Sequence, residues 1–169
     1  AYRQMLFTTP GIEKYITGVI LYDETIRQKT NPMTRTKGDT GMFFREYLIQ
    51  KGILSGIKVD AGLVDMPGFP GETITQGLDG LPARLEEYKS MGASFAKWRA
   101  AFKIGANTPS EEVIRENAKI LGRYAKACQD EGLVPIVEPE VLLDGVHSIE
   151  KSKMVTTQVL KILFEELPK

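Results

Sequence analysis

Four short runs of β-forming residues alternate with four helical patterns, and this alternation is what most limits the folds open to the chain. The runs are Tyr15 to Tyr22, Leu54 to Asp60, Phe95 to Arg99 with a possible extension to Phe102, and Val134 to Glu138. Each is a brief apolar stretch bounded by turn residues, which suits a strand buried on both faces. The helical patterns run from Met42 to Lys51, Leu81 to Met91, Pro109 to Glu131 and Ile149 to Leu167. Gly92 and Gly132 stand where helix C-caps belong. In the third pattern Thr108 is the expected N-cap and Pro109 the first helical residue, with Glu111 and Glu112 at the positive end of the dipole.

Strand centres recur about every forty residues, the spacing of β/α units with long loops. Eight such units would need roughly 320 residues, within the range of a (β/α)8 TIM barrel. The 169 residues supply roughly four consecutive units of one, read here as a single partial-barrel domain over residues 1–169. The first residue is not Met, and both ends read as cut. Residues 30–41 and 64–80 read as loops. The second follows a strand end, where barrel sites sit, so it is either a plain surface loop or one that closes over a ligand.

Composition narrows the function. Lys+Arg and Asp+Glu both number 22, and that balance argues against a nucleic-acid partner or a polybasic membrane contact. No apolar run approaches the ~18 residues of a membrane span. Cys128, the single cysteine, permits no internal disulfide and fits a reducing intracellular setting. It lies on the stripe of Ile114, Leu121 and Ala125, interrupted by Asn117, so a packed thiol is expected. His147 is the single histidine, which leaves a His-rich zinc site unbuildable from this chain alone; it reads as a turn residue. No phosphate-binding glycine fingerprint or nucleophile elbow is present.

The chemistry lies near the ends of strands two to four. Lys58 and Asp60, Lys97 and Arg99, and Glu138 and Glu140 are each two apart around Val59, Trp98 and Pro139. Residues i and i+2 of a strand share a face. Each pair therefore points one way while its middle residue points the other, and Trp98 is expected to be core. A single such pair reads as a solvated strand end. Three in phase read as a mouth in which two lysines, one arginine and three carboxylates cancel, an arrangement able to separate pKa values.

These residues carry a family resemblance. Tyr2-Arg3-Gln4, Gly56-Ile57-Lys58-Val59-Asp60, Thr75-Gln76-Gly77-Leu78-Asp79-Gly80, Phe95-Ala96-Lys97-Trp98-Arg99 and Val134-Pro135-Ile136-Val137-Glu138-Pro139-Glu140 resemble class I fructose-bisphosphate aldolases. The resemblance implies barrel units two to five of a cytoplasmic, homotetrameric glycolytic lyase. It implies reversible cleavage of fructose 1,6-bisphosphate, a sugar phosphate, through a lysine Schiff base, with no cofactor, metal, nucleic acid or membrane. It gives Glu138 the acid/base role, Glu140 that of its partner glutamate, and Lys97 a place near the reacting carbons. Lys58 and Arg99 become candidates for substrate phosphate or for orienting the carboxylates, and Asp60 a supporting residue. The family's essential aspartate, in a motif like LAADEST, and its Schiff-base lysine, in a motif like LLKPN, are not among these residues. Two other readings stand beside this one: a non-enzymatic half-barrel scaffold, and a Mg²⁺-dependent barrel with Glu138, Glu140 and Asp60 as ligands.

Overall fold

A computed structural model describes residues 2–32 and 41–167. Its framework is a four-stranded sheet in the order β1-β2-β5-β6, formed by Gly18–Leu21, Leu54–Lys58, Ala93–Phe102 and Val134–Val141. Every neighbouring pair is parallel. Helices α3 (Phe44–Gln50), α4 (Leu81–Ser90) and α5 (Glu111–Asp130) connect or flank these strands, and α6 (Ile149–Glu166) follows β6. Short helix α1 (Tyr2–Phe7) and a 3-10 turn at Ile12–Lys14 precede β1 in the chain, and α2 (Asp23–Ile26) follows it.

Alternation along the strands divides the sheet. Leu21, Ile57, Val59, Ala96, Trp98, Ala100 and Phe102 are buried in the hydrophobic core with Leu48, Leu85, Leu121 and Tyr124 of the helices. Burial of this kind contributes about 25 cal/mol per Å² of apolar surface. The Trp98 and Tyr124 rings meet at 5.3 Å between centroids, pinning β5 to α5. The opposite face carries apolar residues low on the strands, namely Ile20, Leu54, Phe95, Val134 and Ile136, and the charged pairs at their C-terminal ends. There the Phe95 ring lies directly on β2. A Cβ added to Gly56 would stand 2.2 Å from Phe95 Cε2, so only glycine permits this approach.

Several expected boundaries move. The first strand is Gly18–Leu21, shorter than the β-forming run, because Tyr15 closes the 3-10 turn and is exposed. The fourth runs on to Val141 and so takes in Glu140. Thr108 and Pro109 are not the cap and first turn of α5. Ser110 is the N-cap, its hydroxyl accepting from Val113 N at 3.4 Å, and Glu111 begins the helix. The reason lies outside the local sequence: the Glu72 carboxylate accepts from Ser110 N at 2.7 Å and fixes the chain's entry there.

An antiparallel hairpin of β3 (Leu63–Asp65) and β4 (Thr73–Thr75) occupies much of the stretch expected as a loop over residues 64–80. Three-residue strands are too short to show a period, and Pro67, Gly68, Pro70 and Gly71 dominate the stretch between them. Asn117 explains its own interruption of the α5 stripe. It is fully buried, and its Nδ2 donates to Thr73 O at 2.9 Å, fastening the hairpin to the helix. Of the 30–41 loop, residues 33–40 lie outside the described part; its ends are joined by Thr30 N donating to Met42 O at 2.7 Å. Cys128 and Trp98 are buried as expected. His147 sits in the irregular turn before α6.

Candidate active site

Strand register assembles the mouth. Lys58 lies beside Lys97 across β2 and β5, and Arg99 lies beside Glu138 across β5 and β6. Two cations side by side on neighbouring strands repel unless anions stand between or beyond them. The side chains answer this by pairing each cation with one carboxylate. Lys58 Nζ bonds Asp60 Oδ1, Arg99 Nε bonds Glu140 Oε2, and Lys97 Nζ lies 2.9 Å from Glu138 Oε2. The sequence pairs Lys97/Arg99 and Glu138/Glu140 thus separate, each member turning to the neighbouring strand. Lys58, Lys97, Arg99, Asp60, Glu138 and Glu140 all reach the same strand ends, and Val59 and Trp98 face the core as alternation requires.

The three pairs differ in kind. Asp60 is the buried one, its side chain only 3% exposed, and it also accepts from Gly62 N at 3.2 Å and Arg99 N at 3.3 Å. A carboxylate so enclosed needs its partners, because an unpaired buried charge is costly. Glu140 is held below the ordinary carboxylate range, first by its hydrogen bond from Arg99 and then by the positive charges of Arg99 and Lys97. The same bond raises Arg99. Glu140 is therefore a fixed anion. Glu138 is not so committed: the Lys97 ammonium stands within ion-pair distance, but its angles leave Oε2 without a hydrogen bond among the described residues. Two glutamates two residues apart thus have separate capacities. One is hydrogen-bonded to its cation, and the other is paired with its cation by distance alone.

Sequence reasoning missed the residues behind this row. Tyr22 places its ring 5.9 Å from Lys58 Nζ. Arg84 of α4 donates to Val59 O at 2.9 Å and to Gly77 O. Thr75 Oγ1 donates to Arg99 O at 2.8 Å. One clue was available, since an arginine in the first turn of a helix opposes the dipole and so implies another task. The three carboxylates do not converge as metal ligands, and no group of His, Cys, Asp and Glu side chains among the described residues could hold an ion. A cavity of about 750 Å³ lies on the outer helical face beside Gly122, Arg123 and Glu166. Its lining comes from α4, α5 and α6 and includes none of the charged strand-end residues.

Parallel β/α units with charged side chains gathered at the C-terminal ends of the strands define a protein of the β/α-barrel class. The family model described as "Glycolytic: Fructose-bisphosphate aldolase class-I" matches residues 1–169, and the chain belongs to that family. It is 53% identical over 167 residues to the "Probable fructose-bisphosphate aldolase class 1" of Xanthomonas axonopodis pv. citri (strain 306), covering 99% of this chain and 48% of that protein. With "Fructose-bisphosphate aldolase 5, cytosolic" of Arabidopsis thaliana it shares 54% identity over 99% of this chain and 44% of the relative. A solved fructose-bisphosphate aldolase of Plasmodium falciparum, in complex with TRAP and a small molecule inhibitor, superposes with a TM-score of 0.90 at 46% identity. That match covers 98% of this chain and 46% of the solved one. The chain thus spans about half the length of the relatives it matches.

Proposed function

We propose that this chain forms barrel units two to five of an enzyme that reversibly cleaves fructose 1,6-bisphosphate into dihydroxyacetone phosphate and glyceraldehyde 3-phosphate. The reaction runs through a Schiff base on a lysine outside these residues. The observation that carries this reading is the charge-balanced row at the strand ends, in a chain the family matches from residue 1 to residue 169.

The roles are those the family resemblance implies, and the ion pairs are compatible with them. Imine formation needs a proton taken from the attacking amine and one delivered to the departing hydroxyl. Glu138 is the shuttle, since its Oε2 has an acceptor position not tied up by hydrogen bonding. Lys97, 2.9 Å away, stabilises the Glu138 anion between transfers and holds substrate hydroxyls near the reacting carbons. Glu140 stays ionised and orients Arg99. Arg99 and Lys58 flank the mouth and receive the phosphate groups. No cofactor is assigned a role.

A cytoplasmic homotetramer is the setting the family resemblance implies. The cytosolic designation of the Arabidopsis relatives supports the location. Among the described residues no helix is long and apolar enough to cross a membrane. The test is a coupled assay for triose phosphate release by the full-length protein in EDTA. Release that persists supports the reading. Absence of release with and without added Mg²⁺ sinks it, and release that depends on Mg²⁺ transfers the site to the metal reading.

A further inference from the structure

The sheet has an interruption beside Arg99, and two side chains fill it. A parallel ladder between β2 and β5 continues by a fixed rule: after Val59 N donates to Lys97 O, Arg99 N should donate to Val59 O, and Ala61 N to Arg99 O. The first of these bonds is present at 3.1 Å. The next two are not made, because the chain leaves β2 at Lys58 and turns into the hairpin. Val59 O accepts instead from Arg84 Nη1 at 2.9 Å, and Ala61 N donates to Gln76 O at 2.8 Å.

That leaves both polar groups of the Arg99 peptide without a strand partner on this side. Each finds a side chain. Arg99 N donates to Asp60 Oδ2 at 3.3 Å, and Arg99 O accepts from Thr75 Oγ1 at 2.8 Å. Buried backbone groups must be paired, so these bonds stand in for the missing strand. Both substitutes are themselves fixed. The Asp60 side chain is enclosed and bonded to Lys58 and Gly62 N. Thr75 is buried, in register with Leu63, on a hairpin held by Asn117 and by the Glu72 bond to Ser110.

We propose that Asp60 and Thr75 are positioning residues for Arg99: their hydrogen bonds to its peptide set where its guanidinium, and through it the Glu140 carboxylate, stands at the mouth. The consequence is specific. The hairpin and the anion-binding cation are mechanically joined through the Thr75 hydroxyl, so disturbance at either end reaches the other. The kinetic part of this inference rests on the aldolase reading; the structural part does not.

The test uses the full-length protein with Thr75→Val, Thr75→Ala and Thr75→Ser. Valine keeps the volume and removes the donor, alanine removes the donor without a branched side chain, and serine restores it. Two readouts are taken: the Glu140 titration midpoint by carbon NMR, and KM against kcat for the bisphosphate. Loss of one neutral hydrogen bond is expected to raise KM about three- to tenfold with kcat within about twofold. The Glu140 midpoint should rise toward that of a free glutamate in the valine or alanine variant and return in the serine variant. An unchanged midpoint and KM in whichever donor-free variant folds would overturn the proposal, as would a serine variant as impaired as they are. A wild type without aldolase activity defeats the functional reading, while the Glu140 titration still decides this one.

Discussion

Lys97 and Glu138 meet diagonally across adjacent parallel strands, Nζ to Oε2 2.9 Å, with no hydrogen bond completing the pair. The neighbouring Arg99 and Glu140 are joined by one. Catalysis by a carboxylate requires that it give up and regain a proton, and a bond that always favours the anion opposes this. The contrast between the two pairs agrees with the proposed assignment of the shuttle to Glu138, which the family resemblance implies.

Replacing Glu138 with glutamine keeps the shape and removes the proton carrier. In the full-length protein kcat should fall by about 10²–10⁴, the usual worth of a general acid–base. KM should change far less. A loss confined to KM would move Glu138 from the chemistry to binding.

Glu140 predicts an acid-side effect. Its folded pKa is lowered by Arg99, so the folded state binds its proton less readily than the unfolded chain does. This contribution to stability is fully present above the unfolded value, about 4.3 for glutamate. It is lost as pH falls through the lower folded value. Both side chains are more than a third exposed, so solvent screening keeps the effect small. Glu140→Gln should therefore make the urea midpoint less dependent on pH below about 4. An acid limb as steep as that of the wild type would contradict the pairing.

Asn117 is buried and ties α5 to the hairpin, donating to Thr73 O and to Val113 O at 3.1 Å. Asn117→Ala leaves Thr73 O without that donor and should cost about 1–3 kcal/mol in denaturant unfolding. Hydrogen exchange should quicken first in residues 63–75, which the bond holds down.

Repeated short apolar runs between helical periods disclosed the four strands and the four main helices, because those signals are local. The i, i+2 spacing of Lys97/Arg99 and Glu138/Glu140 disclosed a shared face, whereas Asp60 lies past the end of β2 and its carboxylate turns to the Arg99 peptide. Lys58 keeps its sequence partner Asp60, but the partners of Lys97 and Arg99 were not legible, because they depend on the register between strands. The hairpin was hidden for a related reason: three-residue strands are stabilised by Asn117, Glu72 and Thr75 bonds to distant segments, not by their own pattern. The misplaced cap of α5 has the same origin in Glu72. Family resemblance pointed to the acidic and basic residues of the mouth, but not to the backbone bonds that hold Arg99.

Cys128 offers a check on the core. Burial pushes its thiol up to about 11, only partly offset by its hydrogen bond with Tyr124. The thiolate is the reactive form. A disulfide reagent at neutral pH should leave Cys128 unmodified in the folded protein and label it on unfolding in urea. Rapid labelling without denaturant would place the α5 stripe elsewhere than against the sheet.

On the proposed reading, this charged row serves imine chemistry on a sugar phosphate. The most direct test is borohydride reduction of the full-length protein with dihydroxyacetone phosphate, followed by intact mass. One reduced adduct per chain is expected, on a lysine outside residues 1–169, with cleavage activity lost in proportion. Glu138→Gln should slow adduct formation without moving its site. Full retention of activity with no adduct would overturn the Schiff-base reading, as would an adduct on Lys58 or Lys97.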